Sequence, residues 1–93
     1  MSNSRVVELI HEHHARIHTP DGLSYVPRTY AIGRTDGIWE AWLEFLPLDP
    51  GAPALRTDRE TTQASREALA TWAAGLEPAY LEGAFTRAQV VTR

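Results

Sequence analysis

Ninety-three residues, 10.4 kDa, a formal charge of -3 and no cysteine describe one small soluble domain. A chain of this size buries roughly 60–65% of its unfolded surface, enough for one core and too little for two. With no apolar run of about 18 residues, no basic-then-apolar leader and no thiol, the composition excludes a membrane span, a disulfide framework, Cys-type zinc sites and thiol nucleophiles, and a cytoplasmic location is expected.

All nine basic side chains are arginine, which removes Schiff-base and P-loop lysine chemistry. Twelve acids against nine arginines carry the wrong sign for non-specific polyphosphate binding, so no nucleic-acid partner is expected.

From the N-terminus, Val6 to His14 fits two patterns. Val6, Leu9, Ile10, His13 and Ile17 make a helical stripe; Val7, Leu9, His11, His13, Ala15 and Ile17 alternate as a strand. Continuity with Ile17 and the lack of a helix cap favour the strand.

Two Asp-Gly pairs, Asp21-Gly22 and Asp36-Gly37, then sit between runs of β-branched and aromatic residues, a hairpin signal. A two-residue loop at Asp36-Gly37 pairs Tyr30 with Leu43 and Arg28 with Phe45. It gathers Val26, Tyr30, Ile32, Trp39, Ala41, Leu43 and Phe45 on an apolar face. Thr29, Ala31, Gly33, Glu40, Trp42 and Glu44 fall on the opposite, mostly polar face. The same loop at Asp21-Gly22 pairs Ile17 with Val26. Pro27 cannot donate to a ladder and should mark a bulge or the end of a neighbouring strand. Arg34 beside Trp39 reads as a cation–π contact at the rim.

Leu48 to Leu55 holds two prolines and a glycine, a connector. Thr62 is the expected N-cap of a first helix over Gln63 to Ala74, with Gly75 just past its end. Pro78 suits the first turn of a second helix running to Gln89. The order predicts a two-layer α+β fold: a three-stranded antiparallel β-meander followed by two α-helices packed on one sheet face. A single domain spans 1–93, with 1–14 as an extra strand or mobile arm, 15–47 as the meander, 48–61 as the connector and 62–89 as the two helices.

Three groups of residues could carry function. Trp42, flanked by Glu40 and Glu44 with Thr29 nearby, could anchor a partner chain from the outer sheet face; the competing expectation is that the first residues or the connector fold over it. Arg56, Arg59, Thr61, Thr62, Gln63 and Arg66 surround a helix start, an anion or ligand rim. Asp58 and Glu60 already supply negative charge there, so capping explains much of this polar density. His11, His13, His14 and His18 could offer two corners of a metal site, with Glu8 or Glu12 as an oxygen ligand. No third ligand lies at a recognisable spacing, so no cofactor is implied beyond adventitious zinc or nickel.

The elements PDG…Y…R.Y.IGR.DGIWEAWLEF, TDRETTQ and AL..WA.GLEP.YLEGAF.RA resemble a family of small bacterial proteins carrying WE.W.EF and RETTQ motifs, over roughly Thr19 to Ala88. That resemblance brings no activity with it. A weaker likeness, to HicB-type antitoxin domains, rests on a β-meander, a Pro-Gly loop and a Thr-capped helix. The compact glycine-rich strand start and the appended DNA-binding element of those proteins are missing here.

No nucleophilic elbow, phosphate loop or close carboxylate pair appears. The expected function is therefore a non-catalytic binding or regulatory module acting through a protein partner, with a homodimer as one form. The alternatives are a metal protein using the histidines and a HicB-like antitoxin-type module.

Overall fold

Both Asp-Gly turns close three-residue loops in the computed structural model, which describes residues 5–91. At the second turn the Arg34 amide donates to Ile38 O (2.7 Å) and the Gly37 amide to Arg34 O (3.1 Å), with Gly37 at φ +89°. The first repeats this geometry: Thr19 N to Leu23 O (2.9 Å), Gly22 N to Thr19 O (3.0 Å), and Gly22 at φ +93°. The expected two-residue turn needs positive φ at the aspartate as well as the glycine. A type I turn closed by a single left-handed glycine spares the aspartate that strain, and no other residue type has positive φ among the described residues.

The extra loop residue slips the register by one. Strand β3 (Ser24–Gly33) pairs with β4 (Trp39–Pro47) as Thr29↔Leu43, Tyr30↔Trp42 and Arg28↔Glu44. The faces expected for β4 stand, with Trp39, Ala41, Leu43 and Phe45 inward. Those expected for β3 invert: Tyr25, Pro27, Thr29, Ala31 and Gly33 share the inner face, while Val26, Arg28, Tyr30 and Ile32 face outward beside Trp42. Ile17 pairs with Tyr25 instead of Val26 and is buried on that inner face.

The sheet has seven strands, where a three-stranded meander was expected. Its path runs β1 (Glu8–Glu12), β3, β4, β5 (Leu55–Arg56), β7 (Gln89–Val90), all antiparallel. The short strands β2 (Ile17–His18) and β6 (Thr61–Gln63) pair with β3 and β4. Between β1 and β2 the chain leaves the ladder, and Arg16 donates to the carbonyls of His13, His14 and Ala15. That gap lies beside Pro27, whose carbonyl accepts from His13 N (3.0 Å) and whose missing N–H points the same way. The connector is thus partly sheet: β5 and β6 both run along β4, split by an excursion through Asp58 and Arg59, and β6 is left as an edge while β5 also pairs with β7.

Thr61–Gln63 belong to that edge strand, so the first helix starts later than expected. α1 spans Arg66–Ala74, capped by Ser65, whose Oγ accepts from Ala68 N (3.0 Å). Helix α2 covers Pro78–Arg87, and Gln89 has left the helix for β7. Leu69 of α1 packs on Ala31 and Ala41, with Ile10, Trp39 and Trp72 alongside. Leu81, Ala84 and Phe85 of α2 pack on Ile17, Tyr25, Leu43 and Phe45, where the Phe85 ring meets Phe45 edge-on at 5.2 Å. The sheet residues beneath α1 are small. Gly33 extends this: a Cβ there would lie 3.1 Å from the Trp39 ring, which covers it from the facing strand. Among the described residues no helix is long and apolar enough to cross a membrane.

Candidate functional site

Both helices lie on the inner face, so no helix covers the outer face of the five-strand path, although Val26 and Trp42 on it are nearly inaccessible. Successive strands set its side chains in rows. One row reads Glu12, Arg28, Glu44, Arg56 from β1 through β3 and β4 to β5. The next reads Leu9, Tyr30, Trp42. A groove of about 550 Å³ crosses the face from Val7 past Ile32 and Trp42 to Val90, walled by Arg56, Asp58 and Arg59.

Trp42 is not the exposed ring that its polar neighbours suggested; only 6% of it is accessible. The Arg56 guanidinium stacks over the indole, 4.4 Å from its centre, and Trp42 Nε1 donates to Glu44 Oε2 (3.0 Å). The cover thus comes from the end of the connector, one of the two expected sources. The expected Arg34–Trp39 stack is replaced by ion pairs from Arg34 to Asp36 (2.8 Å) and Glu40 (3.6 Å). Thr29 does not belong to this face either. It is fully buried beneath the helices, because the register slip turned it inward.

The polar stretch from Arg56 to Arg66 divides by function. Thr57 is buried, its Oγ accepting from Leu43 N (3.1 Å) and donating to Asp58 O (2.8 Å), so its hydroxyl mends the ladder where the excursion interrupts it. Glu60 accepts from Tyr80 Oη (2.5 Å) and Arg87 (2.6 Å). Burial, then the hydrogen bond to Glu60, pushes the Tyr80 hydroxyl up to about 12. Thr61 and Gln63 bond each other, Thr62 is an exposed edge residue opposite Glu40, and Arg66 pairs with Glu8 (3.0 Å). These residues do not converge on an anion. The remaining two, Arg56 and Arg59, line the groove and hold no carboxylate among the described residues.

The histidines separate. The His13 ring is buried under the helices and shares a 2.8 Å hydrogen bond with Thr29 Oγ1. Desolvation, then the neighbouring His11, pulls its pKa down to about 4, so it is neutral at physiological pH. The His11 ring stands edge-on to it at 4.6 Å. His14 is exposed, and His18 bonds Ser24 Oγ (2.8 Å). Among the described residues no three His, Cys, Asp or Glu side chains are placed to hold a metal ion.

Sequence reasoning grouped Trp42 with Glu40 and Arg56 with Arg59, as two candidate sites, and missed that these four residues line one groove. It also missed Arg28 and Tyr30, which the inverted β3 faces assigned to the core. The signal available was Arg28 itself, a charge that a buried strand face would not hold unpaired. Comparison with family models, with curated proteins and with solved structures finds no match to this chain.

Proposed function

We propose that this chain is a non-catalytic binding module whose working surface is the helix-free face of the sheet, and whose ligand is a protein. The observation that carries this reading is the groove at Trp42. Exposed Val7 stands at one end, and Arg56 and Arg59, which hold no carboxylate among the described residues, form its wall. Such a surface offers apolar area with charged groups that fix orientation, the composition of a protein interface. Glu40, Glu44 and Asp58 around it disfavour a polyphosphate. The polar groups nearest the groove floor are already committed: Thr57 to the main chain and Glu44 to the indole. They serve as structure and leave no poised nucleophile–base pair there.

A photo-crosslinking side chain at position 59, compared in cells with one at Thr71 on exposed α1, tests the reading. A discrete adduct from position 59 and none from position 71 is expected. No adduct from position 59, or the same pattern from both, overturns it.

A further inference from the structure

The charged row on the open face has a symmetry that bears on its occupant. Glu12, Arg28, Glu44 and Arg56 occupy successive strands, so the signs alternate: minus, plus, minus, plus. Laterally, Arg28 pairs with Glu12 (2.8 Å). An alternating row of four is antisymmetric about its centre, between β3 and β4. Turning a second copy over by a two-fold axis along the strands lays Glu12 over Arg56, Arg28 over Glu44, and the reverse. By backbone register every charged position then faces its opposite, and Arg56, whose guanidinium rests over Trp42 in the single chain, has only to swing off the indole to reach the other copy's Glu12.

The same rotation sets Tyr30 of one copy over the Arg56-capped Trp42 of the other, where ring and guanidinium can stack. It carries Leu9, 47% exposed, toward the end of the groove walled by Arg59. An unrelated partner would have to match this pattern; a second copy matches it by construction.

The size also suits a modest dimer. The 28 residues of the five-strand path, at about 4.8 Å by about 3.3 Å each, give a footprint on the order of 450 Å². Specific interfaces bury about 800 Å² per partner, so weak, reversible pairing follows.

We infer that the helix-free face binds a second copy of this chain, face to face, with the row Glu12–Arg28–Glu44–Arg56 setting the register. This rests on the reading that this face is the working surface, and it names the partner. The charges select the partner and its orientation, and the apolar row beside them supplies buried area.

Sedimentation of the purified chain from about 10 µM to about 1 mM tests it. The wild type should pass from monomer to dimer within that range. Glu12→Arg and Arg56→Glu each put like charges opposite one another in a homodimer, and each should weaken association about tenfold or more. Mixed one to one they restore opposite pairs, and association should return to within about threefold of the wild type. Arg28→Glu mixed with Glu44→Arg repeats the exchange at the inner pair, should either first variant fail to fold. A purely lateral role for these charges predicts no such rescue. A wild type that stays monomeric, single variants that associate normally, or mixtures without rescue overturn the inference. In cells the position-59 adduct should have twice the chain's mass. An adduct of another mass overturns the second copy and leaves the binding face standing; no adduct at all overturns both.

Discussion

The two faces of one sheet are built from different kinds of residue. Under the helices, β3 offers Thr29, Ala31 and Gly33 and β4 offers Ala41, so α1 can approach the backbone closely, while Leu43 and Phe45 fill the wider space beneath α2. The open face carries the larger and more polar groups: Arg28, Tyr30, Trp42, Glu44 and Arg56. The lesson is that side-chain size, as much as hydrophobicity, separates a face that receives a helix from one that does not.

The largest test of this contrast is a pair of truncations followed by urea denaturation. Phe45→Ala should cost about 3–5 kcal/mol, because the fully buried ring is held by Phe85, Leu81 and the strands and its cavity cannot collapse. Trp42→Ala should cost less, about 2–3 kcal/mol, since the Arg56 side chain above it can settle into the space. Equal losses would show both faces to be packed alike.

A smaller effect probes the inner face by pH. The pKa of His13 is lower in the folded chain than in the unfolded one, so between pH 6.5 and about 4 the unfolded state binds the extra proton. The stability this burial allows is present above pH 6.5 and is lost as pH falls toward 4, by about 2–3 kcal/mol. The stability difference between the wild type and His13→Asn should therefore shrink across that window. A difference independent of pH would place the ring in water.

The smallest effect belongs to the open face. Leu9→Ser at concentrations where the chain is monomeric should change stability by no more than about 0.5 kcal/mol, since the side chain is about half exposed. A loss above about 1 kcal/mol would mean that the monomer itself packs this residue.

How much of this was legible follows from the same contrast. The alternation in β4 is unambiguous because Glu40, Trp42 and Glu44 interleave with Ala41, Leu43 and Phe45, and the inner face was read correctly there. In β3 both parities carry apolar residues: Val26, Tyr30 and Ile32 against Tyr25, Pro27 and Ala31. The pattern alone could not choose between them, and the choice fell to turn geometry, where Asp-Gly serves a two-residue and a three-residue loop alike. The helices were legible from their spacing. Strands β5, β6 and β7 were not, since two or three residues show no period and are held by partners distant in sequence. Of the candidate site, Trp42 and the arginines could be named individually. Their convergence depends on the Asp58–Arg59 excursion, which no local pattern announces.

The carboxylate of Glu60 reaches further than its one position suggests. Tyr80 and Arg87, which it grips together, are seven residues apart, two turns along the same side of α2. Two holds on one side fix how the cylinder is rolled about its axis, a freedom that greasy contacts with Leu81 and Ala84 alone would restrain only loosely. The chain leaves α2 directly into Gln89–Val90, which must land beside Leu55 and Arg56 to finish the sheet. A single acid at the far end of the connector therefore steers where the last strand docks, and with it the Val90 end of the groove.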